Sequence, residues 1–497
     1  MKHFLHFTIF LLSTATLQAN TKNSLNPQEL LQKMSVRQKI AQLIIVAAVS
    51  NEVINKDFLS YNPYRMDIAF VEELISIYQV GGVIFLGGGL THEQAEVTQR
   101  FQALSPHIPL LIALDAEWGL TMRLYNGFRF PRNMTLGALT DNELIYQMAY
   151  EIGRELAEIG VHINLAPVMD VNNNPANPVI NIRSFGGDPE NVAAKGVAYI
   201  KGMQDAGIIA CAKHFPGHGD TDIDSHEALP VIAHHKKRLN QIELVPFKAA
   251  IAHDVKAIMT AHLQVPALEP DASLPATLSK KITTELLRNE LGFKGLIITD
   301  GLGMKGITNH HQLGELEVCA LEAGADMLLA CVDPIKTIDA IEKAVRSGRI
   351  SEQAINEKVL RVLNAKQWAF SQTLGKSAER RIAMSLKKKI FTKAITVVKD
   401  TLDAQRDTSC DAIISITGMH PNKQKQFGIP DEKLAEIAKL KSEGKKVTVI
   451  LYGSPYAIDL VQNADRIIVA YEDDGAAQEA VQQILAGFAH AEGKLPV

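Results

Sequence analysis

The sequence predicts a (β/α)8 barrel followed by a smaller α/β domain, and three observations carry that expectation. Short β-branched apolar runs recur eight times between residues 40 and 330. Each is followed by a helix-like stretch, and several are continuously apolar, as strands covered on both faces must be. Eight consecutive β-then-α units over roughly 300 residues suit a closed barrel better than an open doubly wound sheet, the alternative that periodicity alone leaves standing.

The expected barrel strands are Ile40 to Ala48, Gly82 to Leu86, Pro109 to Leu114, Val161 to Val168, Ile208 to Ala212, Ala257 to Ala261, Leu296 to Thr299 and Ala325 to Ala330. Helix punctuation fills the gaps. Thr140 and Glu143 form a capping box ahead of Leu144, Met148, Ile152, Leu156 and Ile159, which recur at helical spacing. Asp188 caps a helix whose first-turn residue is Pro189, and Ser279 opens a helix closed near Gly292. The Asn172 to Asn177 patch reads as a loop. Around Ser371 to Lys389 the pattern yields to a Lys/Arg-rich polar stretch, read as a linker helix over 371–390. Four further runs follow, Ala394 to Val398, Ala412 to Ile416, Lys446 to Tyr452 and Arg466 to Tyr471, alternating with helices such as Asp431 to Glu443. The barrel is therefore expected over 20–370 and a second, sandwich-like α/β domain over 391–497.

Composition narrows the function. Of 497 residues, 46% are hydrophobic and 21% charged, which excludes a disordered or collagen-like chain. Lys and Arg number 51 against 55 Asp and Glu, a net charge of −4, so broad binding of nucleic acid through its phosphates is not expected. Cys211, Cys319, Cys331 and Cys410 show no CxxC or zinc-ribbon spacing and read as small buried hydrophobes. Lys2 and His3 precede the apolar stretch Phe4 to Leu12 and then small and polar residues through Ala19. That is the layout of a signal peptide over 1–19, too short to span a bilayer. Export to the periplasm or medium as a monomer without a membrane span is expected.

Barrel active sites form at the carboxyl ends of the strands, and the residues after these apolar runs are unusually polar. They are Asp115, then Asp170 with Arg183, then Lys213 and His214, then His262, and finally Asp300. The densest stretch is KHFPGHGDTDIDSHEALP, Lys213 to Pro230, a long loop with little to bury. His214 and His218 are four apart, a metal-binding spacing on a helix, but Pro216 and Gly217 break any helix there. Histidines incidental to a solvated loop are the other bland reading. Acid-base chemistry is the third: Asp224 and His226, two apart, face the same way in an extended loop. The carboxylate then orients the imidazole and stabilises its protonated form. Asp300 closes the seventh run in LIITDGLGMKG. Neighbouring glycines leave room for substrate, and Lys213 or Arg183 would keep the carboxylate ionised. An ionised carboxylate facing a proton donor is the layout of a retaining glycosidase.

The run KHFPGHG followed by DSH and LP, together with ITDGLGMKG, resembles the β-N-acetylglucosaminidase branch of the family-3 glycoside hydrolases over roughly residues 30–370. The resemblance implies a (β/α)8 barrel with an α/β sandwich domain, cleaving terminal β-linked N-acetylglucosamine with retention, as at the ends of peptidoglycan fragments or chitin oligosaccharides. It implies Asp300 as nucleophile, His226 as acid/base with Asp224 as its partner, and Asp115, Arg123, Arg183, Lys213 and His214 as sugar ligands, with no metal or cofactor. A histidine acid on the barrel would free the second domain from chemistry. Gly301-Leu302-Gly303 departs from the Asp and Ser common in relatives. A phosphorylase, a metal-dependent hydrolase and a carbohydrate-binding protein that has lost catalysis are the competing readings.

Overall fold

A computed structural model describes residues 25–223, 229–308, 312–373, 375–402 and 410–497. The expected signal peptide and the Asp224–His226 pair lie outside the described residues. Eight parallel strands form the first sheet: β1 (Ile44–Val49), β2 (Gly82–Gly87), β3 (Leu111–Leu114), β4 (Ile163–Asn164), β5 (Ile209–Phe215), β6 (Ala257–Thr260), β7 (Leu296–Thr299) and β8 (Leu328–Leu329). Their spatial order is β7-β6-β5-β4-β3-β2-β1-β8, and a parallel bridge from Ile298 to Met327 closes β7 onto β8. Every barrel-strand residue except Leu86 is buried, which is why these runs read as unbroken apolar segments rather than as alternating ones.

All eight expected strands occur, most of them shorter than their apolar runs. β4 keeps only Ile163–Asn164 of the run that begins at Val161, because Pro167 lacks the amide a ladder needs. β5 instead extends to Phe215, carrying Lys213 and His214 within the strand itself. The capping signals divide. Asp188 accepts a hydrogen bond from the Glu190 amide at the head of the helix Pro189–Asp205, and Ser279 Oγ accepts from the Ile282 amide. Thr140 and Glu143 form no capping box. The helix Glu143–Glu158 starts after Asn142, and the Asp141 carboxylate accepts from the Glu143 amide instead. All four cysteines are free; Cys211 and Cys331 are buried, whereas Cys319 and Cys410 are half-buried rather than enclosed.

A second sheet follows, ordered β10 (Ala412–Ile416), β11 (Val447–Leu451), β12 (Arg466–Val469) and β9 (Thr396–Asp400), with β9 antiparallel to its neighbour. The polar stretch after the helix Glu352–Ser371 is irregular before the helix Arg380–Ala394 begins. That second helix buries Ala383, Ile390 and Phe391. Two contacts seat this sheet's connections on the loops that follow β4: the Tyr456 hydroxyl donates to Asn172 O at 2.7 Å, and Asn181 Nδ2 donates to Pro421 O at 3.0 Å. On a further element, Glu472 accepts from Arg129, the Arg132 amide and Thr135. Among the described residues no helix is long and apolar enough to cross a membrane.

Candidate active site

The polar residues that follow successive strands converge at one end of the barrel. Asp115 follows β3 and holds two cations: Arg123 Nη2 lies 2.5 Å from Oδ2 and Lys213 Nζ, from β5, 2.9 Å from Oδ1. Glu117, two residues further along, accepts both arms of the Arg183 guanidinium, at 3.0 and 2.6 Å, and sits 3.0 Å from Lys213 Nζ. The Tyr199 hydroxyl donates to the carbonyls of Ala116 and Glu117, and Asn164 brackets Ala116 through its amide and carbonyl, so the β3 end is fixed from below.

These five side chains form one network of two carboxylates and three cations. Burial alone would raise both carboxyl pKa values, but the cations win: Lys213 and Arg123 hold Asp115 far below the usual carboxylate range, and Arg183 and Lys213 hold Glu117 at about 2. Burial would likewise favour neutral Lys213, yet Asp115 and Glu117 raise its pKa and keep it charged. Such a network presents fixed charges and donors to a polar ligand without reorganising at the moment of binding.

A second constellation surrounds Asp170, after β4. Its Oδ1 accepts from the amides of His214 and His218, and its Oδ2 lies 2.8 Å from His214 Nδ1. The carboxylate thereby orients the His214 ring and leaves Nε2 as its outward nitrogen. His218 turns to Thr221 instead, and burial lowers its pKa to about 4. His214 thus meets Asp170 through its ring and its amide, His218 through its amide alone. Among the described residues one trio could hold a metal ion, Asp220, His234 and Glu243, and the Arg238 guanidinium already lies against both of its carboxylates.

Asp300 ends β7. Its backbone amide donates to Thr260 O, and its Oδ1 accepts from the Gly301 amide at 2.8 Å. Burial opposes ionisation, but His214, His262, the Gly301 amide and Lys213 together lower its pKa and keep it an anion. Of the two cations expected to keep it ionised, Lys213 does contribute, whereas Arg183 is paired with Glu117. The glycines after Asp300 also serve differently from expectation, since the space above Gly301 and Gly303 is taken by Tyr64.

Asp115, Arg123, Arg183, Lys213 and His214 are thus brought together as candidate sugar ligands, with Asp300 on the charged side of the same strand ends; Asp224 and His226 lie outside the described residues. Glu117 carried a signal that went unused, because it stands at i+2 from Asp115 directly after a strand and so returns to the same face. Asp170 and His262 were visible as strand-end residues without a role; His262 spans Thr277 Oγ1 and Gly301 O. Tyr64 had no local signal at all.

The chain is similar to known proteins in sequence and fold. Residues 35–365 match the model of the glycosyl hydrolase family 3 N terminal domain. The chain is 33% identical over 441 residues to beta-hexosaminidase A of Pseudoalteromonas piscicida, covering 81% of this chain and 72% of that one. It is 37% identical over 265 residues to a beta-hexosaminidase of Pseudomonas aeruginosa, covering 51% of this chain and 76% of that one. The solved structure of a glycoside hydrolase family 3 beta-N-acetylglucosaminidase from Paenibacillus sp. str. FPU-7 superposes with a TM-score of 0.77 at 32% identity, over 93% of this chain and 98% of that one. A closed eight-stranded barrel with charged side chains gathered at the carboxyl ends of its strands, matched over most of its length by these proteins, makes this chain a member of glycosyl hydrolase family 3 and a glycoside hydrolase.

Proposed function

We propose that this enzyme is a retaining exo-β-N-acetylglucosaminidase acting on terminal β-linked N-acetylglucosamine of peptidoglycan fragments or chitin-type oligosaccharides. The observation that carries the reading is the Asp300 carboxylate, held ionised at the end of β7 beside His214 and Lys213, in a chain whose relatives bear hexosaminidase names. In this reading Asp300 attacks the anomeric carbon as the bond to the leaving oxygen breaks, and His226, oriented by Asp224, gives that oxygen its proton. Water then attacks the glycosyl-enzyme and returns a proton to His226, so the second inversion restores the β configuration. Asp115, with Arg123 and Lys213, binds the sugar hydroxyls, since its carboxylate accepts while the cations donate. We further propose the division into a signal peptide over 1–19, a catalytic barrel over 20–370, a linker helix over 371–390 and a non-catalytic domain over 391–497, with export to the periplasm or medium.

The test is hydrolysis of aryl β-glycosides with and without the 2-acetamido group, by wild type and Asp300→Ala. The reading expects turnover of the acetamido substrate, a β-anomeric first product by NMR, and no turnover by the variant at unchanged fold. A preference for the plain glucoside or an initial α-anomer would overturn it. Sugar 1-phosphate formed on adding phosphate would replace hydrolysis with phosphorolysis.

A further inference from the structure

Between β1 and the helix Ile68–Glu73 runs a segment that meets the end of β7, two strands away around the barrel, and it carries Tyr64. Neither Gly301 nor Gly303 has a left-handed φ, so their backbone conformations do not call for glycine. What calls for it is space. A Cβ on Gly303 would stand 2.3 Å from Tyr64 Cε1 and 2.7 Å from its hydroxyl oxygen, and one on Gly301 would stand 3.1 Å from that oxygen. The phenol ring therefore lies directly on the turn that follows Asp300.

Three amides of that turn are held by the turn itself or by β8, the strand adjoining β7: Gly301 N–H donates to Asp300 Oδ1, Leu302 N–H to Leu329 O and Met304 N–H to Gly301 O. The remaining glycine, Gly303, is covered by the ring of Tyr64, from a segment more than 200 residues earlier in the chain. Tyr64 stays a neutral phenol beside the carboxylate, because burial and the charge of Asp300 both raise its pKa.

We propose that Tyr64 is a positioning residue for Asp300, clamping the turn after it by packing its phenol ring on Gly301 and Gly303. Asp300 then holds its Oδ1 on the Gly301 amide and presents its other oxygen to the anomeric carbon in a fixed direction. The inference rests on Asp300 being the nucleophile. A clamp of this kind acts on the rate of attack more than on binding, since a carboxylate free to rotate still accepts hydrogen bonds but meets the reacting carbon less often.

The experiment compares Tyr64→Ala, Tyr64→Phe, Gly303→Ala and Tyr64→Ala/Gly303→Ala, each checked for its melting temperature, on an aryl N-acetyl-β-glucosaminide. Tyr64→Ala is expected to lower kcat by on the order of tenfold or more at little changed inhibition by N-acetylglucosamine. Tyr64→Phe, which keeps the ring over the turn, recovers most of that loss. Gly303→Ala loses activity in the wild-type background because the methyl strikes the ring, and the double variant loses no more than Tyr64→Ala alone. Wild-type kcat in Tyr64→Ala, a Gly303→Ala variant of full activity, or strict additivity overturns the clamp. An equal rise in the inhibition constant and fall in kcat overturns it too, since that marks a sugar-binding wall. If Asp300→Ala itself turned over at the wild-type rate, the nucleophile reading would fail first; an inactive Asp300→Ala with indifferent Tyr64 variants refutes only the clamp.

Discussion

Replacing Glu117 by Gln keeps the shape of the side chain and removes one charge from the centre of the five-membered network. Glu117 is 1% exposed, accepts two bonds from Arg183 and lies 3.0 Å from Lys213, which is itself buried. Two routes give the size of the effect. Breaking a buried ion pair by removing one partner costs about 3–5 kcal/mol, because the remaining charge is left without compensation. Independently, a carboxyl moved from an ordinary 4.5 to about 2 is worth roughly 3 kcal/mol at neutral pH, at about 1.36 kcal/mol per tenfold change in proton affinity. The sign follows from the direction: the folded value lies below the unfolded one, so the contribution is complete above about 4.5 and disappears as pH falls through about 2. Urea unfolding followed by tryptophan fluorescence suits the question, since Trp118 adjoins Glu117 and the other tryptophan, Trp368, also belongs to the barrel. At pH 7 the variant is expected to lose about 3 kcal/mol, and the gap from wild type is expected to narrow as pH falls below about 4.5. A loss under about 1 kcal/mol at pH 7, or a gap that does not depend on pH, would refute the reasoning, because it would place Glu117 among ordinary surface pairs.

His226→Ala is expected to slow substrates with poor leaving groups far more than activated aryl glycosides, with Asp224→Ala milder in the same sense, since only the former need a proton at departure; equal losses on both would make His226 a binding residue. Glu472→Ala removes the acceptor of Arg129, the Arg132 amide and Thr135, a loss of about 1–3 kcal/mol that should appear as a lower melting temperature and faster limited proteolysis, while kcat on a small aryl glycoside holds. A matching fall in kcat would bring the second sheet's connections into catalysis.

The barrel was legible because its strands are buried on both faces, so each shows as a short unbroken apolar run whose end points at the chemistry. Asp115, Lys213, His214 and Asp300 could be found by reading only the residue or two after each run. Arg183 was visible in the loop after the fourth run and Arg123 came with the family resemblance, but the partner of Arg183 was missed: Glu117 lies in a stretch read for Asp115 alone. Of the two cations expected to sustain the charge of Asp300, Lys213 does so, while the Arg183 guanidinium matches the planar Glu117 carboxylate in a two-armed bond. Tyr64 was beyond sequence reading for a different reason. It meets Gly303 from a segment more than 200 residues earlier with no periodicity around it, and the glycines it covers show their purpose once the ring above them is known. The missing capping box at Thr140 shows the same limit on a smaller scale, since Asp141 offers its carboxylate to the same amide one residue closer.

The central claim is that Asp300 forms a covalent bond to the sugar. Incubating the enzyme with a 5-fluoro N-acetyl-β-glucosaminyl fluoride, which slows breakdown of the intermediate, and then mapping the adduct by peptide mass spectrometry tests it most directly. The account predicts one sugar per chain, on the peptide holding Asp300, and no label on Asp300→Ala. Label on another carboxylate, or steady turnover with an inverted first product and no label, would contradict it.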